Sequence, residues 1–194
     1  MDIIIQKLKP ELVEDFLSYF DHTAFSDHPE WAGCYCLESH LDEKAQEELK
    51  PFGIKGRREK AKELVLDGIM NGYLAYDQEK VIGWCNADDK RNYWATGSAK
   101  DDAKKEDKTE MVKVVYCFDI APGYRGEGIA TKMLQKVCED AKAEGYQYVE
   151  GAPMKGDTGA YQYHGTIGLY EKMGFEQYQE NDYFYIMRKT IVNE

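Results

Sequence analysis

The segment from Val114 to Ala130 concentrates the residues most able to do chemistry. β-Branched and aromatic residues run to Ala121, Pro122 follows, and Gly123, Gly126 and Gly128 precede a helical pattern. A strand that enters a glycine turn and opens a helix leaves unpaired N–H groups at the positive end of the helix dipole. Glycines let that backbone approach a ligand closely, an arrangement suited to a diphosphate. A dinucleotide site needs Gly-x-Gly-x-x-Gly, which this glycine order does not give, and the Gly-Lys-Ser/Thr of a nucleotide P-loop is absent. A purely structural turn is the remaining plain alternative.

Further candidates lie outside that turn. Asp119 sits within the strand, Glu110 at its start and Glu150 at the end of a later strand, and each carboxylate is a candidate general base beside a water chain. Tyr170 supplies a phenol. His164, in Tyr161-Gln162-Tyr163-His164-Gly165, reads as a loop or packing histidine, with a base role as the lesser alternative. Cys34-Tyr35-Cys36, if extended, places both thiols on one face. With His28 and His40 these thiols suggest a zinc or redox site, but the spacing follows no standard metal pattern. Small buried cysteines in a packed strand are the simpler reading.

The surrounding elements follow from periodicity. Asp2–Leu8 reads as a strand, and a helix from Pro10 buries Leu12, Val13, Phe16, Leu17 and Phe20. Asp42 caps a short helix to Leu49, and Arg57–Met70 reads as a longer helix stopped by Asn71-Gly72. Tyr73–Tyr76 and Val81–Ala87 form a hairpin. Asp88–Glu110, with seven acids and six bases, reads as a polar excursion that is mobile at its middle. Met111–Ala121 is a strand, a helix follows Gly128 to about Glu144, and Tyr146–Gly151 is a strand. A glycine-bearing loop with Gly156 and Gly159 leads to a helix over Thr166–Met173, and Phe175–Tyr178 and Tyr183–Thr190 are the closing strands.

With 194 residues, the chain fits one domain able to bury a core. A net charge of −11 with no basic stripe argues against nucleic acid. Residues Met1–Lys50 hold 12 acids and only 4 bases, so this stretch is a solvated acidic face or an edge attracting cationic partners. No apolar run is long enough for a membrane span, and five cysteines without disulfide spacing suit a reducing compartment. A cytoplasmic location is expected.

Arg125-x-x-Gly128-x-Ala130 resembles the acyl-CoA signature of the GNAT acyltransferase superfamily, Gln/Arg-x-x-Gly-x-Gly/Ala. Pro122, which ends the preceding strand, and Leu169-Tyr170-Glu171-Lys172-Met173-Gly174-Phe175 are also similar to that family, and together they span Met111–Lys189. The resemblance implies an α+β fold: a mixed, mostly antiparallel sheet flanked by helices, with splayed central strands holding CoA. One domain is expected over 1–194. Residues 1–72 would form the acceptor side, 73–110 the hairpin and excursion, and 111–194 the CoA-binding core.

By the same resemblance, the amides of Arg125, Gly126, Glu127, Gly128, Ile129 and Ala130 hold the diphosphate. The edge formed by Phe118, Asp119 and Ile120 pairs with the pantetheine arm. Tyr170 touches the cofactor and acts as the acid toward the leaving thiolate; the ordinary pKa values are about 10 for a phenol and about 8.5 for a cysteine-like thiol. Asp119 and Glu150 stay open as bases. Many members carry Asn and a small residue where this chain has Tyr163 and Thr166. The acceptor side would include Trp31, Tyr35, Trp84 and Asn86, aromatics that suit a cationic amine. The Trp31/Cys34-x-Cys36 segment is similar to segments of bacterial members.

The expected activity is acetyl transfer from acetyl-CoA to a primary amine of a small cationic molecule. The alternative is an acyl-CoA sensor without transferase activity. No metal, nucleic acid or membrane partner is expected, and a homodimer is left open.

Overall fold

The computed structural model of the chain describes residues 2–93, 110–156 and 159–191. Among these residues seven strands form one sheet: β1 (Ile3–Lys7), β2 (Gly72–Asp77), β3 (Lys80–Asp89), β4 (Val112–Ile120), β5 (Tyr148–Gly151), β6 (Glu176–Glu180) and β7 (Tyr185–Thr190). Their spatial order is β1-β2-β3-β4-β5-β7-β6, and only β4 and β5 run parallel. The helices are α1 (Val13–His22), α2 (Glu43–Leu49), α3 (Gly53–Leu66), α4 (Ile129–Ala143) and α5 (Ile167–Lys172). The sheet is open and mostly antiparallel, with helices on both faces, as expected.

Side-chain alternation along β3 sorts these layers. Trp84 meets Phe16 of α1 edge-on at 4.9 Å between ring centres, while its neighbour Cys85 turns toward Cys138 of α4. α4 is the crossover that a parallel pair requires. Its Ile129, Met133, Leu134, Val137 and Ala141 are buried against the sheet. Asp42 caps α2 by accepting from the Ala45 N–H at 2.8 Å.

α3 lies four residues earlier in the chain than the sequence pattern predicts. Gly53, at φ +57°, lets the chain enter the helix directly from the preceding turn. Gly68, at φ +68°, closes it, with the Ile69 and Met70 amides bonding back to the Leu64 carbonyl. Gly72 is not the stop. It begins β2, where a Cβ would lie 2.3 Å from the Cys85 carbonyl oxygen. The first strand, the hairpin and the closing strands fall within two residues of their expected bounds or overlap them. β3 continues through Asp88 and Asp89 into the stretch expected to be an excursion. The middle of that excursion, 94–109, lies outside the described residues, as does 157–158 of the glycine-bearing loop.

The feature that positions the site is a parting of β4 from β5. They pair from Val112↔Tyr148 to Val115↔Gly151 and no further. On its other side β4 pairs Asn86 with Cys117 and Ala87 with Val115, so Tyr116 is an extra residue. Such a bulge bends a strand and sharpens its twist. From Tyr116 to Ile120, β4 follows β3 and leaves β5, opening a wedge that ends at the glycine turn.

Among the described residues no helix is long and apolar enough to cross a membrane. Because α4 clamps the sheet behind the wedge, Leu134→Ala should cost about 2–5 kcal/mol of stability, measured by urea unfolding.

Candidate active site

At the top of the wedge, residues 122–128 turn the chain from β4 into α4. Gly123, Gly126 and Gly128 adopt φ +86°, +82° and +77°, and a Cβ at any of them would point into open space. The turn is anchored by the Ala121 N–H on the Ile82 carbonyl (2.9 Å), the Tyr124 N–H on the Ala121 carbonyl (3.0 Å) and the Arg125 Nε–H on the Ile120 carbonyl (3.0 Å). The Arg125 guanidinium also pairs with Asp27, which draws the segment after α1 over the turn. Among the described residues the amides of Arg125, Gly126, Glu127, Gly128, Ile129 and Ala130 make no hydrogen bond. Residues 125–128 are exposed, and the segment leads into the start of α4.

Lower in the wedge lies Tyr170, carried by α5. Thr166 caps that helix, its hydroxyl accepting from the Leu169 N–H at 3.1 Å. The phenol is fully buried over Gly151, the last residue of β5; a Cβ on Gly151 would lie 2.3 Å from the Tyr170 oxygen. The hydroxyl donates to the His164 carbonyl at 2.9 Å, and burial pushes its pKa well above the ordinary phenol value. Phe118 approaches the same place, close to Gly165.

The turn at 159–164 packs against β4 where β5 is missing. His164 is buried, and its Nδ1 donates to the Tyr116 carbonyl at 2.6 Å. Burial lowers its pKa below the ordinary histidine value. Its ring also meets Tyr116, Tyr163 and Phe184. The sequence pattern ranks this histidine low because nothing local reveals that its turn fills the wedge.

The three carboxylates have different settings. Glu150 is buried, accepting from Arg188 Nε at 2.6 Å and from Lys90 Nζ at 2.9 Å. Arg188 also bridges to Glu110 at 3.0 Å and lies over the rings of Tyr148 and Tyr178. Both Glu150 and Glu110 are thus held in one ion network near the paired half of β4 and β5. Asp119 points toward α1, where Tyr19 donates to its Oδ1 at 2.5 Å and to its carbonyl at 3.0 Å. Desolvation raises the Asp119 pKa to about 6, against the lowering effects of the Tyr19 bond and Arg125.

In the segment after α1, Cys34-Tyr35-Cys36 is not extended. Gly33, Tyr35 and Cys36 have φ +87°, +45° and +51°, so the chain turns here rather than running as a strand. Arg57 holds the turn through the carbonyls of Gly33 (2.5 Å) and Cys34 (3.1 Å). Tyr35 is buried, its hydroxyl donating to Asp21 at 2.6 Å. Cys36 lies 2.8 Å from Cys117, sulfur to sulfur, and accepts the Trp84 indole N–H at 3.3 Å. Trp84 and Asn86 have no exposed surface. Asn86 donates to Ser39 and pairs with His40, and it accepts from Tyr93. Trp31 is half-buried and stacks on His28 at 4.2 Å. Among the described residues no group of three His, Cys, Asp or Glu side chains is arranged to hold a metal. Hollows of about 450 Å³ and about 350 Å³ are lined by Gly68, Ile69 and Arg91–Tyr93 and by residues that include Lys7 and Lys136, respectively.

A family model described as "Acetyltransferase (GNAT) family" matches residues 37–175, from the turn after Cys36 through the wedge to Phe175. The chain belongs to the GNAT acetyltransferase family. As a GNAT protein it is an acyl-CoA-dependent acetyltransferase. Solved structures share the fold. The PaiA N-acetyltransferase of Thermoplasma acidophilum, in complex with coenzyme A, is 15% identical and covers 98% of this chain and 99% of its own, at a TM-score of 0.55. A GNAT acetyltransferase from Streptococcus pneumoniae is 14% identical, covering 98% and 100%, at a TM-score of 0.56. A Drosophila melanogaster polyamine N-acetyltransferase that forms N-acetylagmatine is 13% identical, covering 96% and 98%, at a TM-score of 0.55. No curated protein matches the chain.

The raised pKa of Asp119 in this GNAT site carries a stability signature. The folded state holds its proton to higher pH than the unfolded chain, whose Asp titrates near 3.9. Stability is therefore lost as pH rises from about 4 to about 6. Asp119→Asn should remove that loss, gaining on the order of 2 kcal/mol over wild type between pH 4 and pH 7 in urea unfolding.

Proposed function

We propose that this protein transfers an acetyl group from acetyl-CoA directly to the primary amine of a small cationic molecule. The observation that carries the reading is the alignment, along one opened strand, of the glycine turn with its unpaired amides and Tyr170 below it. The diphosphate would rest on the amides of Arg125 to Ala130. The pantetheine arm would run down β4 past Phe118, Asp119 and Ile120, whose edge has no β5 partner. That path brings the thioester to the level of Gly151 and Tyr170.

Acetyl-CoA supplies the thioester carbonyl. The amine attacks that carbon once it is neutral, and the C–S bond breaks as the C–N bond forms. Tyr170 then turns its proton from the His164 carbonyl to the departing sulfur. Its high pKa keeps it protonated until that moment.

The acceptor would enter from the α1 side. Half-buried Trp31 would face it, whereas Tyr35, Trp84 and Asn86 are buried and would act only through the packing of that side. Exposed Glu38 and the acid excess of residues 1–50 favour a cation, and aromatic faces add cation–π attraction. One protein of the same fold acts on polyamines. Five unpaired cysteines suit a reducing, cytoplasmic setting.

The test is incubation with acetyl-CoA and a pooled panel of polyamines, aminoglycosides, amino acids and short peptides, read by mass spectrometry. One acetylated amine is expected. Tyr170→Phe should lower its formation by about 100-fold or more while acetyl-CoA still binds. Tight CoA binding by wild type with no acetylated amine would replace this reading with an acyl-CoA sensor.

A further inference from the structure

We infer that His164 is the general base of the reaction and takes the proton of the incoming amine on its Nε2. This assignment rests on the transferase reading above. Three observations support it.

The first is tautomer. The Tyr116 carbonyl can only accept, so the nitrogen 2.6 Å away, Nδ1, must carry the ring hydrogen. Nε2 is then the lone-pair nitrogen. Among the described residues it makes no hydrogen bond.

The second is place. Tyr116 is the bulged residue at which β4 leaves β5, and its carbonyl is the first that β5 fails to cover. His164 therefore stands at the apex of the wedge. Its own carbonyl receives the Tyr170 hydroxyl at 2.9 Å. One residue thus binds the proposed acid through its backbone and offers a base through its ring.

The third is charge state. The groups packed against the ring are the phenols of Tyr116 and Tyr163 and the apolar Phe184, with the Tyr170 hydroxyl on its carbonyl. Among the described residues no carboxylate acts on the imidazole to hold it cationic, so it is neutral near pH 7 and free to accept. The carboxylates considered for this role are otherwise engaged. Glu150 and Glu110 are tied to Arg188, and Asp119 is tied to Tyr19 above the level of Tyr170.

The protons balance. The acceptor enters as an ammonium ion and gives one proton to Nε2, which passes it to solvent. The neutral amine attacks the acetyl carbon. As the C–S bond breaks, Tyr170 gives its proton to sulfur, and the second amine proton restores the phenol. The products are the acetamide, CoA thiol and one released proton.

The decisive variant is His164→Asn. The Asn amide can donate from the position of Nδ1 to the Tyr116 carbonyl, so the turn keeps its anchor, but nothing replaces Nε2. With the acceptor found in the panel, kcat should fall about 100- to 10,000-fold while KM for acetyl-CoA stays within a few-fold. The acidic limb of the wild-type pH profile, with a midpoint below the ordinary histidine value, should vanish in the variant. His164→Ala should recover activity with added imidazole. Retained turnover with an unchanged acidic limb in His164→Asn would overturn the assignment and leave the transferase reading intact. A wild-type protein that binds CoA and acetylates no amine would overturn both.

Discussion

Everything at this site depends on the parting of two parallel strands at Tyr116. Hydrogen bonding would ordinarily continue β4 against β5 to the end of both. One extra residue opposite β3 shifts the pleat, and Gly151 ends β5 just there. The backbone groups left over must find other partners. The Tyr116 carbonyl is taken by His164 and the Ile120 carbonyl by Arg125. This gap connects the glycine turn above it with Tyr170 below. A regular strand would have continued the pairing and closed the gap.

Keeping such a gap open requires a firm hinge beneath it. Arg188 of β7 crosses the paired half, held between Glu150 and Glu110 and sandwiched by Tyr148 and Tyr178. Buried charges of this kind seldom add net stability over an apolar core, but breaking one partner leaves another stranded. Their geometric effect here is to fix β4, β5 and β7 at the level where the strands begin to part. The carboxylates that the sequence offers as proton acceptors therefore hold the scaffold in place. Asp119 has a similar fate on the upper strand, where Tyr19 locks it against α1.

The fold was largely legible in the sequence because its signals are local. Apolar spacing marks α1 and α4, Gly145 and Gly174 end helices, and the turn with Arg125, Gly128 and Ala130 carries a family signature read from a handful of residues. What escaped was set by distant contacts. α3 slid by four residues because left-handed glycines at 53 and 68, rather than the later Asn-Gly pair, bound it. The Cys34-Tyr35-Cys36 stretch looks extended by residue type, yet Arg57 from another helix folds it into a turn. Trp84 and Asn86 look like pocket residues on an exposed hairpin, but the packing of α1 and the Ser39–His40 turn buries them. His164 lies in a segment without a strong pattern, and the gap in the sheet is what supplies its partner, the Tyr116 carbonyl.

The parallel pairing of β4 with β5 also bears on how the chain acquires its shape. The partners are separated by about three dozen residues, and all of α4 must be laid down between them before four short pairings can form. The β2–β3 hairpin closes over two residues. Loop closure costs more for the longer connection, and non-local strand pairs form slowly. The opening therefore borders a sheet pairing whose closure is costly in chain entropy, while the hairpin beside it is among the cheapest to form.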